Sequence, residues 1–466
     1  MAIQFKTHMT ERDFIETLSM SSESVAFGRI LALVEDAGCM TVAIEDQPQE
    51  EEYGSEYSAF FSHVLITCER RHPTRFHFFD RNVETEEEAV KEPRGYLGFC
   101  DLRPLSPRTV SMAILDQSVF IKTNKDYLYL LCSRHFRVQL GKRSIEMRGF
   151  PFIQQDGRIV RCAQAALASV AEFYELPGFT GPDITQYAAE LPSGARSVPS
   201  RGLTVEQMGH VLKKMNRSPI VYDFTRTPED PNITTFQHRE QLIYRYVESG
   251  IPVIVGIEAG NEMHAMVVIG HTFSPDSWFA ETSQRYYDHP RTGTLCHCCT
   301  NWVERFVVQD DNLGPYTLVP SFLLQHAICK LIMVPLPPNV FLTGEEAEMF
   351  VADLLSPQGG DFSEKTLERI TTYHEKNNSV DGDTLFWHQQ FHDQARSNEL
   401  VLRTYLISSR SWLEQQENIS SFSLYEDLLQ DLPLPDYVWV VEVSWPQIYR
   451  HKRRICGEIV LDATDD

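Results

Sequence analysis

Hydrophobic positions along the chain follow two periods. Spacings of three and four residues predict helices over Ser24–Ala37, Arg161–Tyr174, Thr204–Met215, Glu240–Ser249 and Gly344–Leu355. In the second of these, Ala165, Ala166, Val170, Ala171 and Phe173 form a buried side, and Leu176-Pro177-Gly178 ends the helix. Thr204 and Gln207 have the spacing of a capping box. Short β-branched and aromatic runs predict strands over His63–Cys68, Arg75–Phe79, Tyr96–Leu102, Val110–Ala113, Val119–Lys122 and Tyr127–Cys132. Further strands are expected over Val253–Ile257, Ala265–Ile269, Val303–Val308, Tyr316–Val319, Ala327–Val334, Leu400–Ser408, Val438–Val443 and Ile459–Leu461. Two acidic stretches, Glu45–Glu56 and Glu84–Glu92, interrupt the first set and are expected to be solvated loops.

These elements divide the 466 residues into three segments with no internal repeat. Residues 1–145 mix helix and strand, residues 146–336 hold the most apolar strands, and residues 337–466 follow a proline-rich stretch, Pro335–Pro338. At ~100–200 residues per domain, the length suits two to four domains.

Composition narrows the function classes. Hydrophobic residues make up 42% and charged residues 23%, the balance of a globular protein. The formal net charge of −23 opposes general nucleic-acid binding, which needs an excess of lysine and arginine. No apolar run approaches the ~18 residues that span a bilayer, and the first twenty residues lack the basic start and apolar stretch of a signal peptide. The expectation is a cytoplasmic protein with no membrane contact. Ten cysteines are scattered among apolar neighbours and read as reduced core thiols.

Cys162 stands apart because it opens a strong helix just after a turn, QQDGR. The first N–H groups of a helix are unpaired and positive, and stabilise a thiolate placed there. Arg158 and Arg161 add positive charge. Gln154, Gln155 and Asp156 lie six to eight residues earlier. A glutamine amide from this position can donate to a developing oxyanion beside the Cys162 N–H; Gln155 is nearer, though Gln154 stays open. His264 opens the apolar strand HAMVVIG, where it can take a proton from a thiol. Asp310 follows the strand FVVQ and can hold the imidazole tautomer, with Asp311 or Asn312 as rivals for that place.

The ordered motifs FIQQDGRIVRCAQAALASV, GIPVIVGI, HAMVVIGH and FVVQDDNLGPY cover about 180 residues. Together they resemble a papain-like cysteine peptidase domain, closest to the bacteriocin-processing, C39-like peptidases. The resemblance implies an α+β fold: a papain-like central domain, with a helix packed on an antiparallel sheet, flanked by α/β or α+β segments. It implies hydrolysis of a peptide or isopeptide bond through a thioester on Cys162, with His264 as base, Asp310 as its orienting acid and Gln155 in the oxyanion hole. No cofactor or metal is expected. A protein or peptide is the expected substrate, and the flanking segments could dock a partner protein. Two alternatives share the scaffold: an acyltransferase using the same triad, and an inactive papain-like binding module. A third concerns Cys296, His297, Cys298 and Cys299, whose residue types suit zinc although their spacing is too tight for four ligands. They are read instead as a loop of reduced thiols within an insertion near the site. His210, Arg103 and Trp439 are read as structural.

Overall fold

The computed structural model describes residues 3–7, 24–46, 51–59, 73–103, 109–123, 127–156, 161–191, 202–225, 239–260, 262–274, 296–325, 328–355, 400–417, 434–450 and 453–464. The expected strand His63–Cys68 lies outside them, as do Arg158 and three residues of the insertion between His264 and Asp310 that could rival Asp310 or join the Cys296–Cys299 group, Glu281, Asp288 and His289. Helices and mainly antiparallel sheets make an α+β protein.

The first sheet has seven strands, all paired antiparallel: β1 (Gln4–Thr7), β2 (Thr41–Asp46), β3 (Thr74–Phe79), β4 (Tyr96–Leu102), β5 (Val110–Asp116), β7 (Arg134–Leu140) and β8 (Arg143–Phe152), in the order β1-β2-β3-β4-β5-β8-β7. Helix α1 (Val25–Asp36) is capped by Ser24, whose hydroxyl accepts from the Phe27 N–H at 3.2 Å, and buries Phe27, Ile30, Leu33 and Val34. Both acidic stretches contain more structure than the expected loops. The first holds the end of β2 and helix α2 (Glu51–Ala59). The second holds α3 (Glu86–Lys91), where three glutamates sit at the helix's positive end behind a Thr85 cap. The expected strand Val119–Lys122 is instead α4 (Gln117–Thr123). Asp116 caps it by accepting from the Ser118 N–H at 2.9 Å, and Val119 and Phe120 are both buried.

The central sheet runs β14 (Gly314–Pro320), β13 (Arg305–Asp310), β11 (Glu262–Phe273), β10 (Val253–Ala259), β15 (Cys329–Leu336) and β9 (Ser218–Asp223), with β6 (Tyr127–Tyr129) added to the end of β11. Its strands are apolar on both sides because both faces are covered. On β11, Ala265, Val267 and Ile269 join the core that holds α5 (Cys162–Phe173), while Met266 and Val268 join the core that holds α8 (Arg239–Glu248). β15 divides the same way, Leu331 and Met333 against Ile332 and Val334. Gly270 is required where β6 docks: a Cβ there would lie 2.3 Å from the Tyr129 carbonyl oxygen. Helices α6 (Gly181–Ala188) and α7 (Val205–Lys214) complete this side, and α7 carries the capping box of Thr204 and Gln207.

The third sheet joins β12 (Cys296–Cys298), parallel, to β16 (Leu400–Ser408), followed by β17 (Tyr437–Ser444) and β18 (Gly457–Asp462). Cys296–Cys298 is thus a strand of this sheet and not a loop. The segments interlock: residues 145 and 146 both lie inside β8, and β6 and β12 each pair with a sheet of a neighbouring segment.

Glu248, fully buried at the end of α8, fastens the third sheet to the central one. It accepts from His271 Nε2 at 2.6 Å on β11, from Arg403 Nη2 at 2.7 Å on β16, and from Arg453 Nη2 at 2.6 Å. Burial works against its charge, but Arg403, Arg453 and His271 outweigh it and hold the carboxyl well below the usual range. Its stabilising effect is therefore present above the ordinary glutamate pKa and disappears as pH falls through the depressed one. Glu248→Gln leaves Arg453 without its carboxylate and Arg403 with Glu442 alone, and is expected to cost ~3–5 kcal/mol, measured as a lower urea midpoint at pH 7.

Candidate active site

Small residues on α5 bring its first turn to the rim of the central sheet. Ala163, Ala165, Ala166, Ala168, Ser169 and Ala171 are all buried, so the helix axis can approach the backbone of β11. Cys162 is the first residue of the helix, and Arg161 supplies no side-chain cap to the free N–H groups there. The Cys162 thiol is half-buried, 3.9 Å from the Met263 carbonyl oxygen and within hydrogen-bonding reach of the His264 ring.

His264 lies on β11 opposite Ile257 of β10. Its Nε2 is 3.1 Å from Asp310 Oδ1 and 3.7 Å from Asp311 Oδ1. Its Nδ1 is 3.3 Å from Asn312 Nδ2. Asp310 closes β13, where the register with β14 shifts between Val308 and Asp310. The turn that follows makes Asp310 an anchored anion: Oδ1 also accepts from the Asn312 N–H at 2.9 Å and the Leu313 N–H at 3.2 Å. Burial would raise its pKa, but His264 and these two amides overcome that and lower it. Burial likewise opposes charge on His264. Hydrogen bonds with Asp310 and Cys162, and the charges of Asp310 and Asp311, win and push the imidazole up to about 10. The stabilising effect of the protonated ring is complete below the ordinary histidine pKa and is lost as pH rises through about 10.

The two glutamines separate clearly. Gln154 is buried and committed to the scaffold, its Oε1 accepting from Ser24 Oγ at 3.0 Å and the Val110 N–H at 3.0 Å. Gln155 faces the site, its Nε2 donating to Asn312 Oδ1 at 2.9 Å. Asn312 therefore bridges Gln155 and His264, while Asp310 is the carboxylate nearer to the ring. Gln309, one residue before Asp310, was passed over as part of an apolar run. Its neighbour-but-one Val307 faces the α5 side, and that alternation was the available signal for a polar side chain turned inward.

His264, Asp310 and Asp311 offer ligand atoms within 4.8 Å of one another, the one such group among the described residues. In the Cys296–Cys299 stretch, His297 is buried and the Cys299 thiol donates to the Leu402 carbonyl at 2.9 Å. His210 pairs with Glu190 at 3.0 Å, Arg103 with buried Glu56, and Trp439 donates to the Leu342 carbonyl at 2.9 Å, as structural residues should.

Burial pushes the Cys39 thiol up to about 12 and that of Cys329 to about 11, and drives Cys100 and Cys132 well above the ordinary value. Iodoacetamide at pH ~6, below the ordinary thiol pKa, should therefore label Cys162 ahead of these four, read by peptide mapping. His264→Ala should slow that labelling towards the rate of a simple thiol.

Among curated proteins, none matches the chain. Residues 147–297 match the family model described as Peptidase_C39 like, a span that includes Cys162 and His264 and stops short of Asp310. By that match this segment is similar to the C39-like family of peptidases.

Proposed function

We propose that the chain is a papain-like cysteine hydrolase that cleaves a peptide or isopeptide bond. The observation that carries this reading is that the helix start at Cys162 lies against Met263 and His264 of β11, and the His264 ring in turn reaches the Asp310 carboxylate. The family match over residues 147–297 supports it independently.

In the resting site an imidazolium beside a helix N-terminus favours the thiolate of Cys162. The sulfur attacks the substrate carbonyl, and the oxyanion that forms takes hydrogen bonds from the Cys162 N–H and from Gln155 Nε2, which must turn away from Asn312 to reach it. The C–N bond breaks as His264 gives its proton to the leaving amine, and a thioester remains on Cys162. A water then loses a proton to His264 and attacks the thioester. The C–S bond breaks, the acid departs, and the imidazolium is restored. Asp310 keeps its charge throughout and fixes the ring through Nε2. No cofactor enters these steps.

Cys162→Ala should retain the fold, seen as unchanged circular dichroism, and lose hydrolysis of a mixed peptide library followed by mass spectrometry. His264→Ala should lower kcat/KM by roughly 10²–10⁴-fold. Peptide cleavage surviving in the Cys162→Ala protein would overturn the reading.

A further inference from the structure

A small pocket lies directly beneath Cys162. Ala165, Ala166 and Ser169 of α5 form one wall, and Ala265 and Val267 of β11 the other. Gln309 and Asp311 also line it, and it has room for about one water molecule. Both side chains are about 95% buried: Gln309 is 4% exposed and Asp311 5%. Neither oxygen of Asp311 and neither polar atom of Gln309 has a hydrogen-bond partner in the protein. Buried polar groups are nearly always paired, so two such side chains facing one pocket beside a nucleophile call for a reason.

The adjoining acids make a sharp contrast. Asp310 accepts from His264 and two backbone amides. Asp311, next in sequence and 3.7 Å from the same ring nitrogen, is left without such support. We infer that Asp311 is a second acidic positioning residue for His264, which sets how tightly the imidazole keeps its proton from within the Gln309-lined pocket. The inference deepens the hydrolase reading and rests on it for its consequence to catalysis, not for the coupling itself.

The groups facing Asp311 are few. His264 on β11 is the cation, Asp310 at the end of β13 is a second anion, and Cys162 on α5 shares the pocket. The residues after β8 bring the Gln155 backbone amide, and no lysine or arginine among the described residues pairs with either carboxylate. Burial, reinforced by Asp310 and opposed by His264, raises the Asp311 carboxyl to about 7. Below that pH the group is neutral beside the ring. Above it a second negative charge appears and holds the imidazolium more firmly. Asp310 thus serves as a constant orienting charge, and Asp311 as one that comes into play near neutrality.

The test uses the full chain with Cys162→Ala and ¹⁵N-labelled histidine, so that no hydrolysis is needed. His264 is titrated by NMR with and without Asp311→Asn. Loss of the charge should lower the proton affinity of His264 at least about fivefold, from Coulomb attraction at this distance, whereas a change below twofold overturns the inference. The thermal midpoint at pH 8 should stay level or rise in Asp311→Asn, because a buried, unsupported carboxylate is removed. A fall would show a structural anchor and also overturn it. Should Asp311→Asn not fold, the Asp311 carboxyl ¹³C resonance in the Cys162→Ala chain decides: it must titrate near neutrality and the His264 ¹⁵N shifts must report that same step, and titration below pH ~5 refutes the coupling. Inactivity of the parent with an intact His264–Asp311 coupling would sink the hydrolase reading alone. Full activity with no coupling would sink this inference alone.

Discussion

The site depends on how closely helix α5 can lie against strand β11. A thiol at a helix start is useful only if the imidazole beside it comes from a different element held at hydrogen-bonding distance. Bulky side chains on the facing side of α5 would push the helix off the sheet, so alanines and a serine occupy that side, and Ala265 answers them from β11. Larger anchors lie further along, where Phe173 stacks on Phe150 of β8 with ring centroids 5.0 Å apart. The helix is thus fixed at its far end and admitted closely at its near end. Close packing of this kind transmits small displacements, which ties the placement of Cys162 to residues more than ten positions away.

The same economy governs the charges. Apart from the Glu248 cluster, which binds sheets together through fully compensated ion pairs, the central sheet keeps its buried charges at the β11–β13 rim. There the compensation is deliberately uneven. Asp310 receives its hydrogen bonds from a turn whose backbone N–H groups converge on one oxygen, while Asp311 receives none. At this rim, two adjacent acids thus stand in unequal surroundings, a local departure from full pairing of the kind found where stability is exchanged for a reactive arrangement.

Much of this was legible in the sequence because the relevant signals are local. The helix from Cys162, the capping box of Thr204 and Gln207, and the apolar strands carrying His264 and ending at Asp310 all follow from periodicity and turn chemistry. What escaped depends on contacts across the chain. Val119 and Phe120 look like strand residues until Asp116 caps a helix before them. The hairpin of β7 and β8 has alternating charged residues that mask its pattern, and the acidic runs hid α2 and α3. The choice between Gln154 and Gln155 could not come from spacing, since it is settled by Ser24, far away in sequence, which takes Gln154 for the scaffold. Likewise, one residue separates Asp310 from Asp311, and only the turn geometry tells them apart.

The long strand β8 gives the molecule an unusual dependence. It is the penultimate strand of the first sheet, bonded to β5 on one side and β7 on the other, and it runs straight on into Gln154 and Gln155. Arg103 and Ser24 then grip Gln154 from two further elements. Gln155 is therefore held out by the first sheet as by an outstretched arm, and the segment that carries Cys162 and His264 has no clean seam along which it could be cut free. A fragment beginning at residue 146 would keep Cys162 and His264 yet lose the neighbours that aim Gln155. The first sheet is thus mechanically in series with the placement of Gln155, and a shift of β8 would be felt beside His264 without anything touching the thiol.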